Sequence, residues 1–176
     1  MSHITPPAAT EYAPYYGTYV RLVTGDPLAA LQAQPAELRR LLTGLTEQQG
    51  QFRYASGKWS IKEMLVHMID TERIFAYRAL RIARGDTTPL PGFEQDDYVP
   101  ASEADSRSLT SILHEYDTVR AATLSLLESL SEAQLGRQGT ASGQPVSVRA
   151  MNFIIAGHEA HHLHILQERY LPLLAA

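Results

Sequence analysis

Apolar residues recur every three to four positions over four long stretches of the chain, and alternating apolar–polar runs are nearly absent. This period places apolar side chains on one face of an α-helix, whereas a half-buried strand requires strict alternation. We therefore predict four main helices and almost no sheet. Four helices of about 20 residues in one chain favour an all-α fold, an antiparallel four-helix bundle.

Residues that are typical of helix ends predict the boundaries of the first two helices. The first helix is predicted to begin at Pro27, because proline suits the first helical position. Pro35 interrupts its apolar stripe and removes a backbone donor, so a kink or two shorter helices are expected. The second helix is the clearest, since Ser60 and Glu63 match a capping box and Gly85 is typical of a helix end.

The second half of the chain gives less regular signals. Residues 86–104 are rich in proline and acidic residues and are predicted to form a loop. A third helix is predicted over about 105–130, followed by a short helical turn and a loop over 136–145. Ser147 is predicted to cap the fourth helix, which Pro172 should end.

Composition narrows the class of protein. The 176 residues fit one domain, predicted over 1–176 with 1–25 as an N-terminal extension. The absence of cysteine excludes disulfides, thiolate metal sites and a cysteine nucleophile. A formal charge of −4 argues against a nucleic-acid partner. No stretch has the length of a membrane span and no signal peptide is visible, so a cytoplasmic location is expected.

Histidine supplies the candidate chemistry. His158 and His162 lie one turn apart on the inward stripe of the fourth helix, a spacing that suits two ligands of a divalent metal. His67 interrupts the apolar stripe of the second helix and could converge with them inside a bundle. We therefore predict a metal site of these three residues. Hydrogen-bonded core histidines, or a surface helix without metal, are the alternatives.

The run from His158 to His162 also reads H-E-x-x-H, the zinc-binding motif of peptidases, in which the glutamate activates water. The extended form of that motif has glycine and a third histidine where this chain has Ile165 and Glu168. A zinc peptidase is therefore a remote alternative, and Glu159 is expected to be solvated.

Two segments carry a family resemblance. Residues 57–78, with GKWSIKE, then His67, then DTERIFAYR, resemble the second helix of the DinB/YfiT-like superfamily of metal-dependent four-helix bundles. The segment AGHEAHH ending at His162 resembles its closing H-x-x-x-H helix. The stretch LPGF followed by Asp97-Tyr98 resembles its connecting loop. The resemblance covers about residues 11–170.

The resemblance implies an up-down-down-up bundle, often a homodimer, with a divalent zinc or nickel ion held by His67, His158 and His162. It also implies a metal-dependent enzyme acting on small molecules: a transferase or isomerase that uses a low-molecular-weight thiol, or a hydrolase. Three imidazoles leave an open position where water or a thiol could be activated. A non-catalytic metal-binding or stress-response bundle is the alternative.

Two further residues are candidates for the site. Asp70, one turn after His67, could orient a ligand or act as a catalytic base, or form a surface salt bridge with Arg73 or Arg78. Arg78 could bind an anionic substrate, although a solvated arginine is the expected arrangement. Because the chain has no cysteine, any reacting thiol would come from a second molecule.

Overall fold

The computed structural model describes residues 4–174, so His3 lies outside it. Over that range the chain forms nine α-helices and one hairpin of two strands. In chain order they are α1 (Gly17–Val20), α2 (Pro27–Leu42), α3 (Glu47–Gly50), α4 (Ile61–Ala83), α5 (Gln95–Ala101), α6 (Leu109–Glu128), α7 (Glu132–Leu135), β1 (Gln138–Ala141), β2 (Gln144–Ser147), α8 (Val148–Ile165) and α9 (Leu171–Leu174).

The long helices α2, α4, α6 and α8 confirm the predicted all-α four-helix bundle. Helix α4 packs against both α6 and α8, and α2 packs against the same two helices. Helix α2 therefore lies diagonally across the bundle from α4. No helix between residues 4 and 174 is long and apolar enough to cross a membrane.

The ends of α4 follow the sequence signals. The Ser60 hydroxyl accepts a hydrogen bond from the Glu63 backbone N–H at 3.0 Å, and the Glu63 carboxylate accepts one from the Ser60 N–H at 2.8 Å. Gly85 follows the helix with a φ of 81°, the left-handed conformation that glycine adopts without strain. The capping box and the terminal glycine therefore fix both ends of this helix.

Helix α2 runs through Pro35 without a break, so the expected division into two helices is wrong. Proline has no N–H to donate to the carbonyl of Leu31, one turn earlier. That carbonyl accepts a hydrogen bond from Arg120 Nη1 on α6 at 2.8 Å instead. A buried side-chain donor thus replaces the missing backbone donor.

Both predicted loops contain regular structure, so those assignments are wrong. In 136–145 the strands β1 and β2 meet at Ser142 and Gly143, whose φ angles of 52° and 73° suit a two-residue hairpin turn. Leu90 pairs with the end of β1 and ties the preceding connection to the hairpin. Within 86–104, α5 forms a short helix.

The fourth helix also extends further than expected. Helix α8 continues into a π-helical turn at Leu166–Tyr170, and α9 follows directly. Pro172 is the second residue of α9 and does not end the helical path. Proline only lacks the donor for one carbonyl of the preceding turn, so the backbone can keep its helical path past it.

A layer of buried polar side chains separates two hydrophobic clusters inside the bundle. One cluster includes Phe75 of α4 and Ile154 of α8, and the other includes Leu65 of α4 and Leu163 of α8. The polar layer consists of His67, Thr71, Glu72, Arg120, Thr123, His158, Glu159 and His162. Close packing on both sides holds these side chains in place.

The N-terminal segment packs against α8 at Gly157. A Cβ at Gly157 would lie 2.1 Å from the carbonyl oxygen of Tyr19. We expect Gly157→Ala to destabilise the protein by about 1–3 kcal/mol through overpacking, although alanine is the better helix former. Denaturant unfolding measures the change. Gly136→Ala is the matched control, because a Cβ there meets nothing closer than 3.9 Å. Equal stability of the two variants would contradict this packing.

Candidate metal centre

Three histidines meet in the polar layer. His67 projects from α4, and His158 and His162 project from consecutive turns of α8. The Nε2 atom of His158 lies 3.1 Å from Nε2 of His67 and 3.1 Å from Nε2 of His162. All three side chains are buried, and one ring nitrogen from each lies within 4.8 Å of the others. The structure therefore brings together the three residues predicted as ligands.

A divalent ion suits these nitrogens better than hydrogen bonds do. A ring nitrogen carries either one proton or one lone pair, so Nε2 of His158 cannot pair fully with two other nitrogens. Tetrahedral zinc with Zn–N distances of about 2.0–2.1 Å places its nitrogens about 3.3 Å apart. The observed 3.1 Å separations are close to that value. The donor set therefore fits a metal site.

Burial keeps the three rings neutral. It lowers the pKa of His67 to about 4. It also holds the pKa values of His158 and His162 well below 6.5, and the neighbouring histidines add to that effect. The neutral imidazole is the form that binds metal. At neutral pH the rings therefore need not lose protons before binding an ion.

We expect the stability of the metal-free protein to decrease as the pH falls from about 6.5 towards about 4. In that window the unfolded chain protonates its histidines while the buried rings stay neutral, so protons favour the unfolded state. Each such histidine contributes a slope of up to about 1.4 kcal/mol per pH unit. Denaturant unfolding in chelator measures the slope, and His162→Ala should reduce it. If His162→Ala leaves this slope unchanged, the result would contradict a buried, neutral ring at His162.

Aromatic rings surround the cluster. The Trp59 ring centroid lies 4.6 Å from that of His67, and the Tyr19 centroid lies 5.2 Å from that of His158. The Thr71 hydroxyl lies 3.5 Å from Nδ1 of His67, which is long for a hydrogen bond. Nδ1 of His162 is buried and has no hydrogen-bond partner between residues 4 and 174. Packing therefore contributes much of the orientation of the rings.

The two larger cavities beside the histidines differ in size and lining. The smaller, of about 180 Å³, is lined by His67 and His158. The larger, of about 310 Å³, is lined by His162 and Trp59. Gln95 of α5 borders both cavities, so the segment assigned as a loop contributes to the site. Three tyrosines of the N-terminal segment also line the smaller cavity: Tyr15, Tyr16 and Tyr19.

Glu159 is buried, so its expected solvation is wrong. Its carboxylate accepts hydrogen bonds from Tyr116 and Arg120. Arg120 also donates to the Glu72 carboxylate at 3.0 and 2.7 Å. Burial raises the pKa of Glu159, against the opposing effect of Arg120. The carboxylate is thus engaged inside the protein, which argues against the water-activating role that a zinc peptidase requires.

Asp70 is not brought to the three histidines. It is half-buried, and its carboxylate lies 3.7 Å from Arg73 Nη1. In the described part of the chain it lines none of the cavities that border the histidines. Burial raises the pKa of Asp70, and Glu115 adds to the increase. This placement supports the salt-bridge alternative over the catalytic base.

The remaining candidates divide between the interior and the surface. Arg78 is 2% exposed and lines the smaller cavity, so the expectation of a solvated arginine is wrong. His161 is half-buried, and its ring centroid lies 5.3 Å from that of His162. His164 is exposed. Neither His161 nor His164 belongs to the group of three ligand nitrogens.

Known proteins resemble this chain in sequence and in fold. A protein of Geobacillus kaustophilus, named a putative metal-dependent hydrolase, is 25% identical over 139 residues, or 77% of each chain. One of Geobacillus thermodenitrificans with the same name is 29% identical over 143 residues, again 77% of each. The solved structure of YfiT from Bacillus subtilis, a four-helix bundle of unusual topology, matches with a TM-score of 0.76 at 14% identity, covering 96% of this chain and 93% of that one.

The family assignment rests on the match to a family model. The family model of the DinB superfamily matches residues 30–166, which include α4, α6, α8 and all three histidines. This chain belongs to the DinB superfamily.

Proposed function

We propose that the chain is a metal-dependent hydrolase of small molecules whose ion is held by His67, His158 and His162. The observation that carries the proposal is the convergence of three buried imidazoles through their Nε2 atoms. The names of the Geobacillus relatives support the reaction class.

A divalent ion such as zinc or nickel would supply a Lewis acid with an open position, which lowers the pKa of a water towards neutrality. The protein's own part is to hold and enclose the reacting atoms. The neutral rings offer three lone pairs, and Trp59 and Tyr19 pack against His67 and His158. The adjoining cavity places a small substrate beside these ligands.

Thiol transfer is a second candidate function. The cavity of about 310 Å³ beside His162 leaves room for a low-molecular-weight thiol next to a substrate in the smaller cavity. The thiol would come from a second molecule, because the chain has no cysteine.

The test compares metal-loaded and chelated protein on 4-nitrophenyl esters, and separately on an electrophile with and without cysteine or glutathione. Hydrolysis that requires metal and no thiol is the expected result. Turnover only with a thiol would favour the transferase. Equal activity with and without metal would contradict the metal-dependent hydrolase. Activity with none of these substrates would contradict it as well and favour a non-catalytic bundle.

A further inference from the structure

Two arginines are fully buried, and their surroundings differ. Arg120, 2% exposed, is paired with the carboxylates of Glu72 and Glu159. Arg78, also 2% exposed, makes no ion pair with any residue between 4 and 174. A buried charge without a counter-charge is costly, so the guanidinium of Arg78 calls for an explanation.

The neutral contacts of Arg78 satisfy only part of its guanidinium. Nη2 donates to the carbonyl of Pro91 at 2.7 Å and to the hydroxyl of Ser142 at 3.1 Å. Nη1 is buried and has no hydrogen-bond partner in the described part of the chain. The rings of Phe75 and Phe93 lie 5.5 and 5.9 Å from the guanidinium carbon, which favours a cation but supplies no negative charge.

Arg78 also faces the same way as the candidate metal ligand on its helix. It follows His67 by eleven positions, and eleven steps of about 100° end within about 20° of three full turns. Long side chains of a helix extend towards its N-terminus, which for Arg78 is towards His67. Both residues line the cavity of about 180 Å³. A ligand there would meet the histidines at one end and the guanidinium at the other.

We propose that Arg78 binds a carboxylate group of the substrate, so that the enzyme acts on small molecules carrying an anionic end several bonds from the reacting bond. The Tyr16 hydroxyl is a second donor in the same cavity. Burial raises the pKa of Tyr16, so its hydroxyl keeps the proton it would donate. Glu94 also lines this cavity, but it is exposed and forms no ion pair with Arg78.

The carboxylate site at Arg78 depends on the proposed function only as far as the reacting end of the substrate is concerned. A binding measurement therefore tests it separately. Glutarate and its uncharged diamide, glutaramide, are titrated calorimetrically into zinc-loaded wild-type protein and into Arg78→Met. We expect the variant to bind glutarate about ten- to a hundredfold more weakly, with glutaramide binding unchanged, because charge-assisted hydrogen bonds are lost.

Arg84→Met is the matched control, since Arg84 ends the same helical segment but is exposed. It should leave glutarate binding unchanged. Arg78→Lys keeps a cation and should lose less affinity than Arg78→Met. If the methionine variant does not fold, the Nε–H NMR signal of Arg78 in wild-type protein should shift on adding glutarate and not on adding glutaramide. An unmoved signal, or glutarate binding that Arg78→Met leaves unchanged, would overturn the proposal.

Ester hydrolysis provides a second test of the carboxylate site. Arg78→Met should lower kcat/KM for mono-4-nitrophenyl glutarate about ten- to a hundredfold more than it lowers kcat/KM for 4-nitrophenyl valerate. If no ester is hydrolysed while glutarate binding still depends on Arg78, the proposed hydrolase fails and the carboxylate site stands. If both esters are hydrolysed equally well with or without Arg78, the hydrolase stands and the carboxylate site fails.

Discussion

Replacing His162 by alanine should abolish stoichiometric metal binding and reduce hydrolysis to the level of the chelated wild-type protein. The substitution removes one of three candidate ligands, and losing a mere orienting partner of a ligand already costs about 10–100-fold in affinity. We therefore expect metal affinity to fall by more than about 100-fold. Metal content after dialysis, measured by mass spectrometry, checks the result alongside ester hydrolysis.

The same variant should stay folded. Nδ1 of His162 is buried without a hydrogen-bond partner between residues 4 and 174, so removing the ring relieves an unsatisfied polar atom in the metal-free protein. His161→Ala is the matched control, because His161 is the neighbouring histidine outside the group of three ligand nitrogens. It should keep its metal. Loss of metal from His161→Ala alone, or full retention by His162→Ala, would contradict the site.

Replacing Arg120 by methionine should destabilise the protein by about 3–5 kcal/mol. The change leaves Glu72 and Glu159 buried without their common cation, and it removes the donor to the Leu31 carbonyl that Pro35 cannot serve. Burial opposes the charge of Arg120, but Glu159 and Glu72 outweigh it and raise the pKa of the guanidinium. Denaturant unfolding of wild type and variant gives the difference.

Arg39→Met is the matched control for that substitution. Arg39 also links α2 to α6, through Asp117, but the two side chains are 48% and 42% exposed. Exposed ion pairs contribute about 0–1 kcal/mol, so this variant should remain close to wild type. Equal losses in the two variants would show that the buried cluster has no special role in stability.

Local signals predicted the helices and the ligands well. The capping box at Ser60 and the glycine after α4 act within one turn of the chain, and so does the pairing of His158 with His162. His67 could be nominated because a polar ring interrupted an inward-facing apolar stripe. That α4 and α8 are neighbours is a long-range property, which only the resemblance supplied and the structure shows.

The wrong predictions concern positions where residues distant in sequence determine the local structure. Pro35 does not divide α2 because Arg120, 85 positions later in the chain, supplies the missing hydrogen bond. Glu159 is not solvated because partners on α6 bury it. The sequence signal for the buried cluster of Glu72, Arg120 and Glu159 was the position of these charged residues on helix faces that are otherwise apolar. The hairpin had a local signal, the Ser142-Gly143 turn between short segments.

Some expectations stay predictions. The homodimer, the cytoplasmic location, the identity of the ion and the use of a thiol derive from the resemblance and from composition. Neither the three-histidine site nor the proposed carboxylate site at Arg78 depends on these expectations, because residues of a single chain form both sites.

The coordination of bound zinc tests the central claim most directly. Anomalous diffraction at the zinc edge from crystals of the metal-loaded protein locates the ion and its ligands. The account predicts one ion per chain with Nε2 atoms of His67, His158 and His162 at about 2.0–2.1 Å and one further position open to solvent or substrate. An ion bound by His161 or His164 instead, or no ion between α4 and α8, would contradict it.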